Sequence, residues 1–107
     1  MAKLDFTPAR CDLALQAGDD EVFTCTFDSS LTGWTSWAAK VESKDGTKWS
    51  FTVNTTAQAS QQITLSLTDA QTTAIPSGSW WQFWANDPDG NTRTLLEGKV
   101  GVNEDLT

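Results

Sequence analysis

Apolar residues recur at every second position along most of this chain. Between positions 11 and 15, Cys11, Leu13 and Leu15 alternate with Asp12 and Ala14, and from 21 to 27 Phe23, Cys25 and Phe27 alternate with Val22, Thr24 and Thr26. Period two marks a half-buried strand, because successive side chains point to opposite faces. The intervening "AGDD" is turn chemistry, so the pair predicts a β-hairpin. After "DSSLTG", the stretch "WTSWAAKVES" (34–43) sets Trp37, Ala39 and Val41 on one face and Trp34, Ser36, Lys40 and Glu42 nearer the other. Beyond an Asp45-Gly46 turn, Trp49, Phe51 and Val53 continue at period two, which predicts a second hairpin. "QITLSL" (62–67) adds an inward set of Ile63, Leu65 and Leu67.

Only "TDAQTTAIPSG" reads as helical. Thr68 and Gln71 are spaced as a capping box, in which each side chain satisfies a free backbone donor near the other. Pro76 and Gly78 stop the segment after about two turns. "SWWQFWAN" and "TRTLLEGKVGV" then form a last pair joined by "DPDG", where Pro88 fixes φ and Gly90 tolerates positive φ. Leu96, Val100 and Val102 are expected to share the inward face with Trp81, Phe83 and Ala85. About seven short strands with turns between them predict an all-β antiparallel sandwich with one short helical turn. At 107 residues the chain has the size of one domain, 1–107, with an N-terminal arm (1–9) and an acidic tail (103–107).

The charge narrows the choice of partners. Fourteen acidic against seven basic residues give −7, with the basic residues scattered singly. Nucleic acid is therefore not an expected partner. The opening "MAKLDFTPARCDLAL" has no apolar run that predicts a signal peptide, and no stretch predicts a membrane span. Synthesis and retention in one reducing compartment lower the odds of a disulfide, yet a hairpin centred near Gly18 brings Cys11 and Cys25 about opposite each other. A disulfide and two small buried thiols both remain open.

Catalytic chemistry finds little to use. The chain has no histidine, which excludes Ser-His and Cys-His pairs and the usual nitrogen-ligated zinc sites. Two cysteines fourteen apart make at most half a zinc site. Asp19, Asp20 and Glu21 cluster in one turn and Asp87 and Asp89 in another; they read as turn residues, and "DPDG" lacks the spaced ligands of a calcium loop. Asn54 in "NTT" fits a glycosylation pattern that means nothing without secretion. No catalytic, cofactor or metal residue is expected.

The aromatic content is the stronger signal. Six Trp and five Phe are present, three of the Trp within "SWWQFWAN". If Trp81 and Phe83 face the core, Trp80, Gln82 and Trp84 form a stripe on the opposite face. That stripe is ordinary core under a covering segment such as the "DFTPA" arm, a docking surface on another protein, or a platform for sugar rings. Trp34 is counted with it as a candidate contact.

The ordered set "ITLSLTDAQTTAIPSGSWWQFWANDPDGNTRTLLEGKVGVNED", together with "GDDEVFTCTFD" and "LTGWTSWAAKV", resembles small immunoglobulin-like β-sandwich proteins among the virion structural genes of tailed bacteriophages. These are similar in plan to the N-terminal domains of upper baseplate proteins. Positions 80 and 84 depart from that pattern: polar or smaller residues give way to Trp, which favours a specific hydrophobic contact. The resemblance implies an immunoglobulin-like sandwich without enzymatic activity, assembled in the host cytoplasm into the virion. Its expected partners are phage capsid or tail proteins, with self-association also open. A capsid decoration or minor capsid role is preferred to a tail or baseplate accessory, and a carbohydrate-binding module is the lesser alternative.

Overall fold

A computed structural model describes residues 9–103. Most of the arm and tail, 1–8 and 104–107, lies outside the described residues; Ala9 and Asn103, counted with them, are strand residues. Two sheets account for the described strands. One contains β1 (Ala9–Arg10), β2 (Leu13–Gln16), β4 (Thr35–Glu42), β5 (Lys48–Ser50), β8 (Ser79–Asn86) and β9 (Thr92–Asn103). Its order is β1-β9-β8-β4-β5, with β2 following β1 along the same edge of β9. The other contains β3 (Glu21–Thr26), β6 (Thr52–Asn54) and β7 (Gln62–Leu67), in the order β3-β7-β6. This is the strand plan of an immunoglobulin-like sandwich.

Alternation explains the core between them. Leu15, Val41, Ile63, Leu65, Trp81, Phe83 and Val100 are all at most 2% exposed, and each lies at an inward position of its strand. The Phe51 ring joins the layers, with its centroid 5.7 Å from that of Trp81 and 6.5 Å from that of Phe23. The expected β8–β9 hairpin is present, closed by the "DPDG" turn with Gly90 at φ 86°.

The expected hairpin across the Asp45-Gly46 turn is also present, with β4 and β5 antiparallel and Val41 opposite Trp49, but the first expected hairpin does not form. β2 pairs in parallel with β9, whereas β3 pairs antiparallel with β7, so the turn at 17–20 crosses from sheet to sheet. The reason lies in what holds that turn. Helix α1 (Asp69–Ala74) grips it: Gly18 N–H donates to Thr72 Oγ1 (3.2 Å), Thr72 Oγ1 donates to the Asp19 carbonyl (2.8 Å), and Asp69 N–H donates to Asp20 Oδ1 (2.7 Å). Past the β4–β5 hairpin the Phe51 N–H still donates to the Ala39 carbonyl at 2.9 Å, and only then does the chain cross, with Val53 opposite Leu65 in the other sheet. Crossing allows both apolar rows to line one core, where a two-stranded hairpin buries only one face.

The capping box forms as expected. Thr68 Oγ1 accepts from Gln71 N–H at 3.2 Å and Gln71 Oε1 accepts from Thr68 N–H at 2.8 Å. α1 then carries the chain from β7 in one sheet to β8 in the other.

A built kink separates β1 from β2. The buried Trp81 indole N–H donates to the Cys11 carbonyl at 2.6 Å, which takes that oxygen out of the ladder. Asp12 Oδ1 takes its place and accepts the Lys99 N–H at 2.9 Å. The residue paired with Trp81 is Gly98, and a Cβ there would lie 2.1 Å from the Cys11 oxygen. Only glycine admits this approach without a backbone shift.

Gly98→Ala is therefore expected to destabilise the fold by about 2 kcal/mol or more, as overpacking against backbone does. Trp81→Phe, which keeps a ring but orphans a buried carbonyl, should cost roughly 1–3 kcal/mol. Urea denaturation of both variants checks this; parental midpoints in both would contradict the described kink.

Candidate functional site

β8 divides its aromatic residues as its alternation requires. Trp81 and Phe83 are buried at 2% and 0% exposure, whereas Trp80, at 37%, and the exposed Gln82 point outward with the half-buried Trp84. Strand register fixes what surrounds this stripe. Trp80 lies between Glu42 on β4 and Lys99 on β9, Gln82 between Lys40 and Glu97, and Trp84 between Ala38 and Thr94. Gln82 Nε2 donates to Glu97 Oε2 at 3.4 Å. The outer face is thus an aromatic row framed by charges of both signs.

Arg10 completes it. Its guanidinium carbon lies 5.3 Å from the Trp80 ring centroid, within cation–π range, and its Nε is 2.8 Å from Asp12 Oδ1. The Arg10 hydrogen bond, followed by that from the Lys99 amide, holds the Asp12 carboxyl below the usual range. Arg10 was not legible as a site residue, because its place beside Trp80 depends on a parallel pairing with a strand almost the whole chain away.

Trp34 does not join the stripe. It is half-buried against the core, with its ring centroid 6.0 Å from that of Trp37. The β4–β8 register shifts between Thr35 and Ala38, and Ser36 adopts φ 56°, so alternation cannot be extended back from Trp37 to Trp34. Gln58 fixes this corner: its Nε2 donates to the carbonyls of Leu31 (2.8 Å) and Trp34 (3.0 Å), and its Oε1 accepts from Trp37 Nε1 (3.2 Å).

A second feature lies at the open side of the sandwich. A groove of about 570 Å³ runs between β3 and the β1–β9 edge, and both Cys11 and Cys25 line it. The two thiols reach it from different sheets, and both are free. Burial, and then the neighbouring Cys11, push the Cys25 thiol up to about 11, so at neutral pH it stays protonated and a poor nucleophile. Among the described residues no three Cys, Asp or Glu side chains gather as a metal site would require.

A family model for the LtfC-like beta-sandwich domain matches residues 7–103. The chain belongs to the LtfC-like family. No curated protein matches it significantly in sequence.

In this LtfC-like sandwich the acidic turns serve the backbone. Glu21 Oε1 accepts the Gln16 N–H at 3.1 Å. Asp87, 6% exposed, organises the "DPDG" turn: Oδ1 accepts the N–H groups of Asp89 (3.0 Å) and Asn91 (2.9 Å), and Oδ2 accepts from Arg93 Nε at 3.0 Å. The Asn91 amide first, then Arg93 and the Asp89 amide, hold its carboxyl low against the opposing effect of burial. In the β4–β5 turn the Ser43 hydroxyl and then the Thr47 amide lower Asp45 to about 2.

Both carboxyls titrate lower in the folded than in the unfolded chain. Their contribution is therefore complete above the unfolded value of about 3.9 and disappears as pH falls through the folded one. For Asp45 that window runs from about 4 to about 2. The urea midpoint should be flat near neutrality and fall across this window, and the double variant Asp45→Asn, Asp87→Asn should show a shallower fall. An equally steep fall in the double variant would assign the acid loss to other groups.

Proposed function

We propose that this LtfC-like domain is a non-enzymatic structural component of a bacteriophage virion. In this reading it docks on the capsid, as a decoration or minor capsid protein, through the outer face of its six-stranded sheet. The observation that carries the proposal is the Trp80–Gln82–Trp84 row, which alternation turns away from the core that Trp81 and Phe83 fill. Trp and Arg are the residues over-represented among interface anchors, and Arg10 lies against Trp80. Lys40, Glu42, Glu97 and Lys99 supply a mixed polar rim of the kind that surrounds such anchors. The phage association of the LtfC-like family supports the setting.

Arg10 also bears on the alternative chemistry. A sugar platform needs open ring faces, and Arg10 already lies over the Trp80 ring, which supports a protein contact over a glycan. A stable attachment would bury on the order of 1,000 Å² or more in total. A tail or baseplate attachment through the same row would differ in the particle fraction that retains the protein.

Trp80→Ala alone and Trp80→Ala with Trp84→Ala are expected to abolish incorporation into capsids assembled in the host cytoplasm. Trp80→Ala loses the Arg10 contact and cross-strand packing and should cost about 1–2 kcal/mol, which leaves the domain folded. Quantifying the protein in purified heads and tails checks the proposal. Normal occupancy of heads by a folded double variant would overturn it, and retention of the parent in tails only would move the site to the tail.

A further inference from the structure

β3 is the outer strand of the three-stranded sheet, and no described strand pairs with its free side. Immediately after it, the Phe27 N–H donates to the Gln61 carbonyl at 2.8 Å, toward β7. Alternation then turns the backbone polar groups of Val22, Thr24 and Thr26 to the open edge. Such an edge is a template for another strand unless Lys, Pro, a bulge or a covering element blunts it. "EVFTCT" has neither Lys nor Pro, its six pairs with β7 run without a register shift, and Val22 is 65% exposed.

The sequence along this edge reads the same in both directions: Phe23-Thr24-Cys25-Thr26-Phe27. Two copies meeting antiparallel about a two-fold axis set each residue opposite its mirror position, so a palindrome presents matched pairs to itself. We propose that β3 is a dimerisation edge, at which a second copy of this chain pairs antiparallel about an axis through Cys25. Thr24 then faces the second copy's Thr26 in hydrogen-bonded positions, as the edge-directed backbone groups require. Phe23 faces Phe27, and Cys25 faces Cys25, in the non-hydrogen-bonded ones. Threonine and aromatic pairs are among the favourable cross-strand pairs. Glu21 falls opposite Ser29 and Asp28 opposite Val22, so no acid meets an acid although the chain carries −7. The pairing also joins two three-stranded sheets into one of six strands and covers the half-buried Phe23 and Phe27. It uses the opposite sheet from the Trp80 face and stands independently of the docking proposal.

Sedimentation equilibrium of the full chain under reducing conditions tests it. The parent should be a dimer, and Thr24→Lys with Thr26→Lys, which sets Lys opposite Lys at exposed positions, should be a folded monomer. In Cys11→Ser protein, diamide at pH about 9 should give a covalent dimer through Cys25–Cys25, each S–S bond forming as one diamide takes up two electrons and two protons; opposed non-hydrogen-bonded positions lie about 4.5 Å apart at Cα, within disulfide reach. A monomeric parent at about 100 µM would overturn the proposal, and slow amide exchange at Val22, Thr24 and Thr26 in that monomer would assign the edge to the chain's own N-terminal residues. A dimer unaffected by the Lys pair would place the interface elsewhere, and a covalent dimer that forms as readily in the Thr24→Lys, Thr26→Lys variant would reject the Cys25-centred register.

Discussion

A single hydrogen bond organises the two halves of the larger sheet. The Trp81 indole needs an acceptor because the ring is buried at the centre of the sandwich, and the Cys11 carbonyl supplies it. Using that carbonyl breaks the first strand, and the break determines what its neighbours must be. Gly98 has to lack a side chain so that the carbonyl can approach, and Asp12 has to offer a carboxylate where the ladder has lost an acceptor. Two residues far apart in sequence, Asp12 and Gly98, are constrained by one donor.

The same kink shapes the outer face. β1 enters on the edge of β9 with Arg10 opposite Glu97, one residue before the break, and from there Arg10 reaches the Trp80 ring and Asp12. The guanidinium is thereby held on an aromatic surface and oriented by a carboxylate that is itself fixed to the Lys99 amide. Core and surface aromatics on β8 are coupled in this way: Trp81 positions the strand whose Arg10 lies over its neighbour Trp80.

Sequence patterning read the strands well and their partners poorly. Period two located Leu13 to Leu15, Phe23 to Phe27, Trp37 to Val41, Ile63 to Leu67 and the two faces of β8, because alternation is local. The Thr68–Gln71 capping box and the "DPDG" turn were legible for the same reason. The first hairpin failed because "AGDD" has turn chemistry whether the chain doubles back in one sheet or crosses to the other; the choice was made by α1, fifty residues downstream. Trp34 failed at a register shift, where a residue at φ 56° resets the alternation. Of the outer row, Trp80, Gln82 and Trp84 followed from spacing alone, whereas Arg10 depended on a long-range parallel pairing that no local pattern encodes.

That pairing also governs when the fold can be completed. Residues 13–16 lie beside 100–103, and the Asp12 carboxylate bonds an amide 87 positions away. On a ribosome β1 and β2 have no β9 to pair with until residues 92–103 have been made, so the larger sheet closes only after those residues emerge. Contacts of such separation carry the full entropy of loop closure and make folding slow. Until then β8 waits with Trp81 unpartnered and its remaining tryptophans beside it. The interval in which this domain is most adhesive thus falls before residues 13–16 and 100–103 have met.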